Sequence, residues 1–151
     1  HSSEQPNNRP AEQERSTESI SDIMTGDMDV LKFRRELLER MIGFTANLDR
    51  FLKQLPVCLA KNKLQDQLGR SGSSVGANYA ESGAAESAKD FIHKLSVALK
   101  EAEETNFWLG CVCAEYPEFQ QAEVLRKENL EFIKILQSSI TTTRRNNPNL
   151  T

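Results

Sequence analysis

Few side chains in this sequence have the types and spacing that a metal site needs. Cys111 and Cys113 are one residue apart, with no nearby Cys or His at zinc-site spacing. The acidic residues Glu101, Glu103 and Glu104 lack the Glu-x-x-His pairs of di-iron helical proteins. We therefore predict no metal site and no cofactor. We interpret the thiols as small buried side chains and the carboxylates as a solvated surface.

Two other patterns resemble reactive sites without meeting their requirements. His93 falls on the polar face of a predicted helix, whereas a catalytic dyad needs a second group that converges on the first. A phosphate-binding loop requires the pattern G-x-x-x-x-G-K-[ST] and a strand before it. The segment from Gly69 to Gly76 has neither. We predict a protein that is not an enzyme and has no small-molecule substrate.

The charge distribution argues against a general nucleic-acid-binding protein. The net charge is -3, and residues 28–143 hold 15 Lys and Arg against 16 Asp and Glu. Such proteins usually carry a basic excess, which this sequence lacks.

The apolar runs of the sequence are too short to cross a bilayer, and its first residues do not resemble a secretory signal. We expect a cytoplasmic protein with reduced thiols that does not enter a membrane.

Composition divides the chain into three segments. Residues 1–28 are rich in Ser, Glu, Gln, Asn and Pro, and they bury too little to offset the entropy of ordering. We predict that they are disordered. Residues 29–143 are predicted to be all-α, in an antiparallel up-down four-helix bundle, because short connections join long apolar stripes at helical spacing. Residues 144–151 are predicted to be a flexible tail.

Apolar positions of the predicted helices share narrow faces at about 100° per residue. The stripe of the first helix is Leu37, Met41, Phe44, Leu48, Phe51 and Leu55. The stripe of the third is Phe91, Leu95, Ala98, Ala102, Thr105, Leu109 and Cys113. The fourth helix has Leu125, Phe132, Ile133, Leu136 and Ile140. These faces are predicted to form the core.

Individual residues near the helix termini predict where the helices begin and end. Pro56 disfavours helical dihedrals in the residue before it, so the first helix is predicted to stop there. Gly83 is predicted to be a left-handed C-cap of the second helix. Ser87 and Asp90 resemble a capping pair that starts the third. Pro117 is predicted to lie in the first turn of the fourth.

The second helix, residues 63–82, has three glycines and four serines, which lower its helix propensity. Its small stripe is Gly69, Gly72, Gly76 and Ala80. Its polar stripe is Gln67, Ser71, Ser74, Asn78 and Glu81, with Arg70 at its edge. The small stripe permits close packing against another helix. Short polar side chains suit a hydrogen-bonded oligomer or partner interface. The alternative is a polar stripe that is solvated or meets a neighbouring helix.

Residues 67–71 (QLGRS) and 74–81 (SVGANYAE), followed by Ser87 and Asp90-Phe91, resemble the motif of the 23S rRNA intervening-sequence proteins. The resemblance covers about residues 30–140. It implies an antiparallel bundle that assembles into a pentameric ring, and no catalytic residues. It also implies an association with RNA, because many members are encoded inside rRNA genes. A related branch comprises accessory proteins of diversity-generating retroelements, which bind RNA and the reverse transcriptase.

Two functions remain open at this point. The first is a non-enzymatic oligomeric scaffold or adaptor that docks a protein or ribonucleoprotein partner. The second is an RNA-binding accessory protein of a diversity-generating retroelement, which engages a reverse transcriptase and its template RNA. Its RNA-contacting residues, gathered on one side only after assembly, would be Arg34, Arg35, Arg40, Lys61, Lys63 and Arg70.

Overall fold

The computed structural model of the chain describes residues 20–56 and 59–150, with side chains for residues 27–56 and 63–150. It has four helices: α1 (Ile20–Leu52), α2 (Leu59–Ser82), α3 (Ala88–Glu115) and α4 (Gln120–Asn146). Within the described ranges there is no strand. The prediction of an all-α fold with four helices is confirmed.

Helices reach into both segments that we predicted to be unstructured. α1 begins at Ile20, inside the segment 1–28, while residues 1–19 lie outside the described residues. α4 continues to Asn146, inside the segment 144–151. The helical pattern therefore extends beyond the boundaries drawn from composition at both ends.

The contacts of the chain divide it after Phe33. The described residues before this point all belong to α1. Four of their large apolar side chains are exposed: Met28 (68%), Val30 (59%), Leu31 (66%) and Phe33 (50%). This stretch of α1 thus presents apolar surface to solvent.

The core of residues 34–150 uses the faces that the sequence predicts. All six residues of the predicted α1 stripe are buried. On α3, Leu95, Ala98, Ala102, Thr105 and Leu109 are buried, whereas Phe91 and Cys113 are half-buried. Because apolar burial is the main favourable term in folding, these faces position the remaining side chains.

Buried polar contacts connect α3 to its neighbours in sequence. The Thr105 hydroxyl on α3 donates a hydrogen bond to Ser71 Oγ on α2 at 2.9 Å. Asn129 on α4 donates from Nδ2 to the backbone oxygen of Ala102 on α3 at 2.8 Å. Both side chains of the first pair and that of Asn129 are fully buried. Such bonds fix how the helices are aligned, because a buried polar group without a partner is costly.

The first helix also contacts the last. Arg40 on α1 donates two hydrogen bonds to the carboxylate of Glu128 on α4, at 2.9 and 3.0 Å. Below this pair the rings of Phe44 and Phe132 meet edge to face, with centroids 5.5 Å apart. α1 therefore packs against α4 through both an ion pair and the aromatic core.

One predicted helix cap is confirmed and another is wrong. Ser87 Oγ accepts a hydrogen bond from the backbone N–H of Asp90 at 3.0 Å, which starts α3. Gly83 is not left-handed, since no described glycine has a positive φ. Its N–H instead donates to the carbonyl oxygen of Ala80 at 3.1 Å. α2 therefore ends by tightening its last turn, without the left-handed residue that glycine favours.

The two helix ends predicted from proline are displaced by a turn. α1 ends at Leu52 rather than immediately before Pro56. The backbone between them forms tight turns, in one of which the Gln54 N–H donates a hydrogen bond to the Phe51 oxygen at 2.9 Å. α4 begins at Gln120 rather than near Pro117. The connection before it contains a similar turn, in which the Phe119 N–H donates to the Tyr116 oxygen. A proline disfavours helical dihedrals in the residue before it, but it does not decide at which residue a helix begins or ends.

Candidate interface

The small-residue stripe of α2 lies against α1. A methyl group built on Gly72 would collide with the side chain of Leu48. A methyl group on Gly76 would lie 3.2 Å from Met41 Cβ, which is tighter than an ordinary contact. These two glycines mark the closest approach of the two helices, and any larger residue there would have to displace buried side chains of α1.

The two ends of the stripe are less confined. A methyl group on Gly69 would lie 3.7 Å from Leu52 Cδ1, at ordinary van der Waals distance. Ala80 is exposed. The tight part of the stripe is therefore limited to its middle.

Ser71, placed in the polar stripe of α2, faces the interior of its own protomer. Its side chain is fully buried. It accepts the hydrogen bond from Thr105 and donates to the backbone oxygen of Leu68 at 3.4 Å. Ser71 thus connects α2 to α3, as in the alternative that the stripe meets a neighbouring helix.

Arg70 also reaches α3. Its Nη1 donates to Glu101 at 3.1 Å, and its Nη2 donates to Glu104. Trp108 Nε1 donates to the same Glu104 oxygen at 3.3 Å. The hydrogen bond from Arg70 lowers the pKa of Glu104, with a smaller contribution from Trp108. The bond to Glu104, followed by that to Glu101, raises the pKa of Arg70. The network therefore favours the charged forms of Arg70 and Glu104.

Glu81 completes the contacts of the polar stripe with α3. It pairs with Lys94 at 2.9 Å, and this hydrogen bond raises the pKa of Lys94. The pair is largely exposed, so it contributes little to stability by itself. With Arg70 and Ser71, half of the predicted interface residues make contacts to α3 within one chain.

The other half of the polar stripe is half-buried: Gln67, Ser74 and Asn78. Ser74 Oγ donates to the backbone oxygen of Arg70 at 2.7 Å, and Asn78 Nδ2 donates to that of Ser74 at 2.9 Å. Both bonds stay within α2. These side chains leave a short polar surface beside the α3 contacts.

Three of the arginines proposed to contact RNA have partners within the chain. Arg34 donates to Ser82 Oγ at 3.0 Å and lies over the Tyr79 ring, 4.8 Å from its centroid. Arg40 pairs with Glu128, a hydrogen bond that raises the pKa of Arg40. Arg70 has its two glutamates. The three arginines bind different neighbours, and the contacts of one chain do not gather them into a single site.

The remaining predicted RNA contacts differ from these arginines. Arg35 and Lys63 are exposed. The side chain of Lys61 lies outside the described residues. Arg35 and Lys63 are therefore placed where a partner could reach them.

An open groove runs between α1 and α4. The residues that line this α1/α4 groove include Gly43, Phe44, Val124, Lys127, Leu130 and Lys134. Val124 is 60% exposed and Leu130 38% exposed. A methyl group on Gly43 would have nothing within 4 Å. The groove combines uncovered apolar side chains with an exposed stretch of helix backbone.

The apolar residues of this groove were missed in the sequence reasoning, although a signal for them exists. Val124 directly precedes Leu125, which lies on the buried stripe of α4. One residue turns a helix by about 100°, so neighbours cannot share a narrow face. An apolar residue just off a well-defined stripe is thus a candidate for exposure. Gly43 carries the same signal beside Phe44.

Other reactive chemistry is sparse in the described part of the chain. Three or more His, Cys, Asp and Glu side chains do not converge there in a way that could hold a metal. Cys111 and Cys113 are half-buried free thiols, and burial raises the pKa of Cys113. None of the described helices is long and apolar enough to cross a membrane.

Comparison with known proteins relates the chain to one family. A family model described as 23S rRNA-intervening sequence protein matches residues 35–138, from α1 into α4. A crystal structure of a protein with unknown function from the S23 ribosomal protein family of Bacteroides thetaiotaomicron is similar, with a TM-score of 0.60 and 34% sequence identity. That similarity covers 68% of this chain and 96% of the other. A search of curated proteins gave no match.

Proposed function

Because this chain belongs to the 23S rRNA-intervening sequence protein family, we propose that it is a non-enzymatic, oligomeric scaffold or adaptor that docks a protein or ribonucleoprotein partner. The observation that carries this proposal is the α1/α4 groove, where Val124 and Leu130 are exposed beside Gly43. Contiguous exposed apolar surface is characteristic of protein contacts. Helix backbone left bare by glycine allows another helix to approach closely.

The proposal includes an antiparallel up-down bundle. Its support is the order of contacts along neighbouring helices. On α1, Met41 lies against Gly76, whereas the later Leu48 lies against the earlier Gly72 of α2. The same reversal relates α2 to α3, where Ser71 contacts Thr105 while Glu81 contacts the earlier Lys94. Short connections between the helices favour this topology.

The proposal also includes self-assembly, as a homopentamer on the strength of the family resemblance. Residues of the polar stripe that do not contact α3, Gln67, Ser74 and Asn78, are the ones that we assign to a subunit contact. The bonds of Ser74 and Asn78 within α2 use only part of their hydrogen-bonding capacity, since an amide has two donors and an acceptor and a hydroxyl can also accept. A neighbouring subunit would satisfy the remainder.

The RNA-binding alternative has less support from the side chains. Arg34, Arg40 and Arg70 would have to exchange partners within the chain for phosphate. The α1/α4 groove exposes Val124 and Leu130, and its lysines Lys127 and Lys134 are accompanied by Glu128 and Glu131. The groove of a nucleic-acid-binding protein is usually basic. The contacts therefore favour a protein partner.

Two measurements on the full chain test the proposal. Sedimentation velocity at micromolar concentration should show a species larger than the monomer. An electrophoretic shift with single-stranded and structured RNA, titrated with salt, should show weak binding. A monomer across the concentration range would refute the scaffold. Tight RNA binding that weakens steeply with salt would instead favour the retroelement accessory, because released counterions impose that slope.

A further inference from the structure

The exposed stretch of α1 has a defined apolar face. Val30 and Phe33 are 59% and 50% exposed, and they lie three residues apart on one side of the helix. At about 100° per residue, Asp27 and Asp29 fall to either side of that face, within about 90° of its centre. Residues 27–33 therefore present Val30 and Phe33 between two carboxylates, while the exposed Met28 and Leu31 lie on the opposite side of the helix.

The α1/α4 groove has the complementary character. Its apolar side chains, Val124 and Leu130, lie on the same helix as two exposed lysines, Lys127 and Lys134. Two glutamates also line it: Glu128, which pairs with Arg40, and Glu131. Lys127 makes no ion pair with the described residues, and Lys134 has only a long, exposed contact with Glu131 at 3.5 Å. Both ammonium groups are therefore available to an acidic partner.

We propose that residues 27–33 of one copy of this chain bind in the α1/α4 groove of a second copy. Val30 and Phe33 contact Val124 and Leu130 there, and the two aspartates lie beside the lysines. This inference rests on the self-assembly in the proposed function. It adds a second contact between copies to the one assigned to Gln67, Ser74 and Asn78, and it gives the α1/α4 groove to this chain rather than to an outside partner.

The chain itself favours this occupant. Residues 1–19 contain no large apolar side chain that could fill the groove. Residues 27–33 span about 9 Å of helix, within the roughly 15 Å between Val124 and Lys134 along α4. Gly43 leaves room for the backbone of the entering helix. An amphipathic helix in an apolar groove is a recurring mode of protein recognition.

The proposed contact is heterologous, because the inserted helix and the groove are different surfaces. Every copy then offers one of each, and repetition of the contact either closes into a ring or continues as a filament. The copies therefore assemble head to tail, and the contact requires no two-fold axis between them.

Aspartate substitutions in the full chain test the apolar part of the contact. Val30→Asp and Val124→Asp should each raise the dissociation constant of the assembly at least tenfold in sedimentation velocity. Ile42→Asp is the matched control, because Ile42 is 62% exposed and is not among the groove residues. It should leave assembly unchanged. Circular dichroism should show the same helical content for all three, since each site is exposed.

Charge reversal tests the polar part of the contact without adding charge to an apolar site. Asp27→Lys with Asp29→Lys should weaken assembly, as should Lys127→Glu with Lys134→Glu. The chain that combines all four changes should recover at least part of the loss. An oligomeric wild type that is insensitive to Val30→Asp, Val124→Asp and both reversals would overturn this inference and leave the scaffold proposal intact. A monomeric wild type would overturn both.

Discussion

Gly72 of α2 lies so close to Leu48 of α1 that a single methyl group on Gly72 would overlap the leucine side chain. Leu48 is only 1% exposed, so it cannot move aside into solvent. Glycine inside a helix costs about 0.5–1 kcal/mol relative to Ala. The close approach of α1 gives a physical reason for a glycine at this position.

Gly72→Ala is therefore expected to lower the free energy of unfolding by up to about 2.5 kcal/mol, because overpacking costs about 1–3 kcal/mol and helix propensity returns only about 0.5–1 kcal/mol. The matched control is Gly69→Ala, which adds a methyl group at 3.7 Å from Leu52. It should raise the free energy of unfolding by about 0.5–1 kcal/mol through helix propensity. Urea unfolding followed by circular dichroism measures both. Equal stability of the two variants would show that the approach of α1 is not a constraint.

Glu104→Gln should reduce stability in a pH-dependent way. Arg70 lowers the pKa of Glu104 below its usual 4.5, so the folded protein favours the carboxylate. A lowered pKa contributes stability above the unfolded-state pKa, and this contribution is lost as the pH falls through the folded-state value. The melting temperatures of wild type and variant should thus differ at pH 7, and the difference should shrink as the pH falls below 4.5.

Glu103→Gln provides the control for that comparison. Glu103 is exposed and makes no ion pair with the described residues. Its melting-temperature difference from the wild type at pH 7 should be small. High salt should also reduce the effect of Glu104→Gln, since the ion pair is partly exposed and screened. A Glu104→Gln difference that does not shrink as the pH falls below 4.5 would contradict the assignment.

Asn129 is a site where a less polar residue should be tolerated. Its Nδ2 bonds to the oxygen of Ala102, but its buried Oδ1 has no hydrogen-bond partner in the described structure. Asn129→Leu should change the free energy of unfolding by less than about 1 kcal/mol, because losing the bond to Ala102 offsets the removal of an unsatisfied acceptor. Asn129→Asp should lower it by about 3 kcal/mol or more at neutral pH, since it buries a charge. Thermal melts across pH separate the two. Strong destabilisation by Asn129→Leu would indicate that the amide specifies the fold.

Asn78→Leu tests the polar surface of α2 for a subunit contact. Unsatisfied groups on the neighbouring subunit should cost about 1–3 kcal/mol each, and 1.4 kcal/mol is a tenfold change in the dissociation constant. Helical content should be retained. Ser73→Leu is the control, because the exposed Ser73 makes the same kind of bond to a backbone oxygen of α2. If both variants assemble like the wild type, this face is ordinary surface.

The periodicity of the sequence was sufficient to predict the core. The stripe from Leu37 to Phe51 is buried because five apolar residues at helical spacing have only one common direction, and Leu55 is buried beyond the end of α1. The Ser87 cap was likewise predictable, since it depends on residues within one turn. Information contained in a single helix was therefore recovered from its residues alone.

Contacts between helices were not recoverable in the same way. Gly43 and Gly72 are both glycines inside a helix, yet one has open space beside it and the other has Leu48. Ser71 and Ser74 belong to one polar stripe, but only Ser71 is fully buried against α3. Propensity and spacing cannot separate such pairs, because the difference lies in a neighbouring helix that the local sequence does not identify.

The Arg40–Glu128 ion pair has a consequence for the order of folding. Its two residues are 88 positions apart, whereas Ser71 and Thr105 are 34 apart and Glu81 and Lys94 are 13 apart. Closing a longer loop costs more entropy, so contacts between α2 and α3 should form before α1 meets α4. A late contact affects unfolding more than folding. The first and last helices would then separate first, which would expose the Phe44–Phe132 contact while the α2–α3 hairpin still protects its amide hydrogens from exchange.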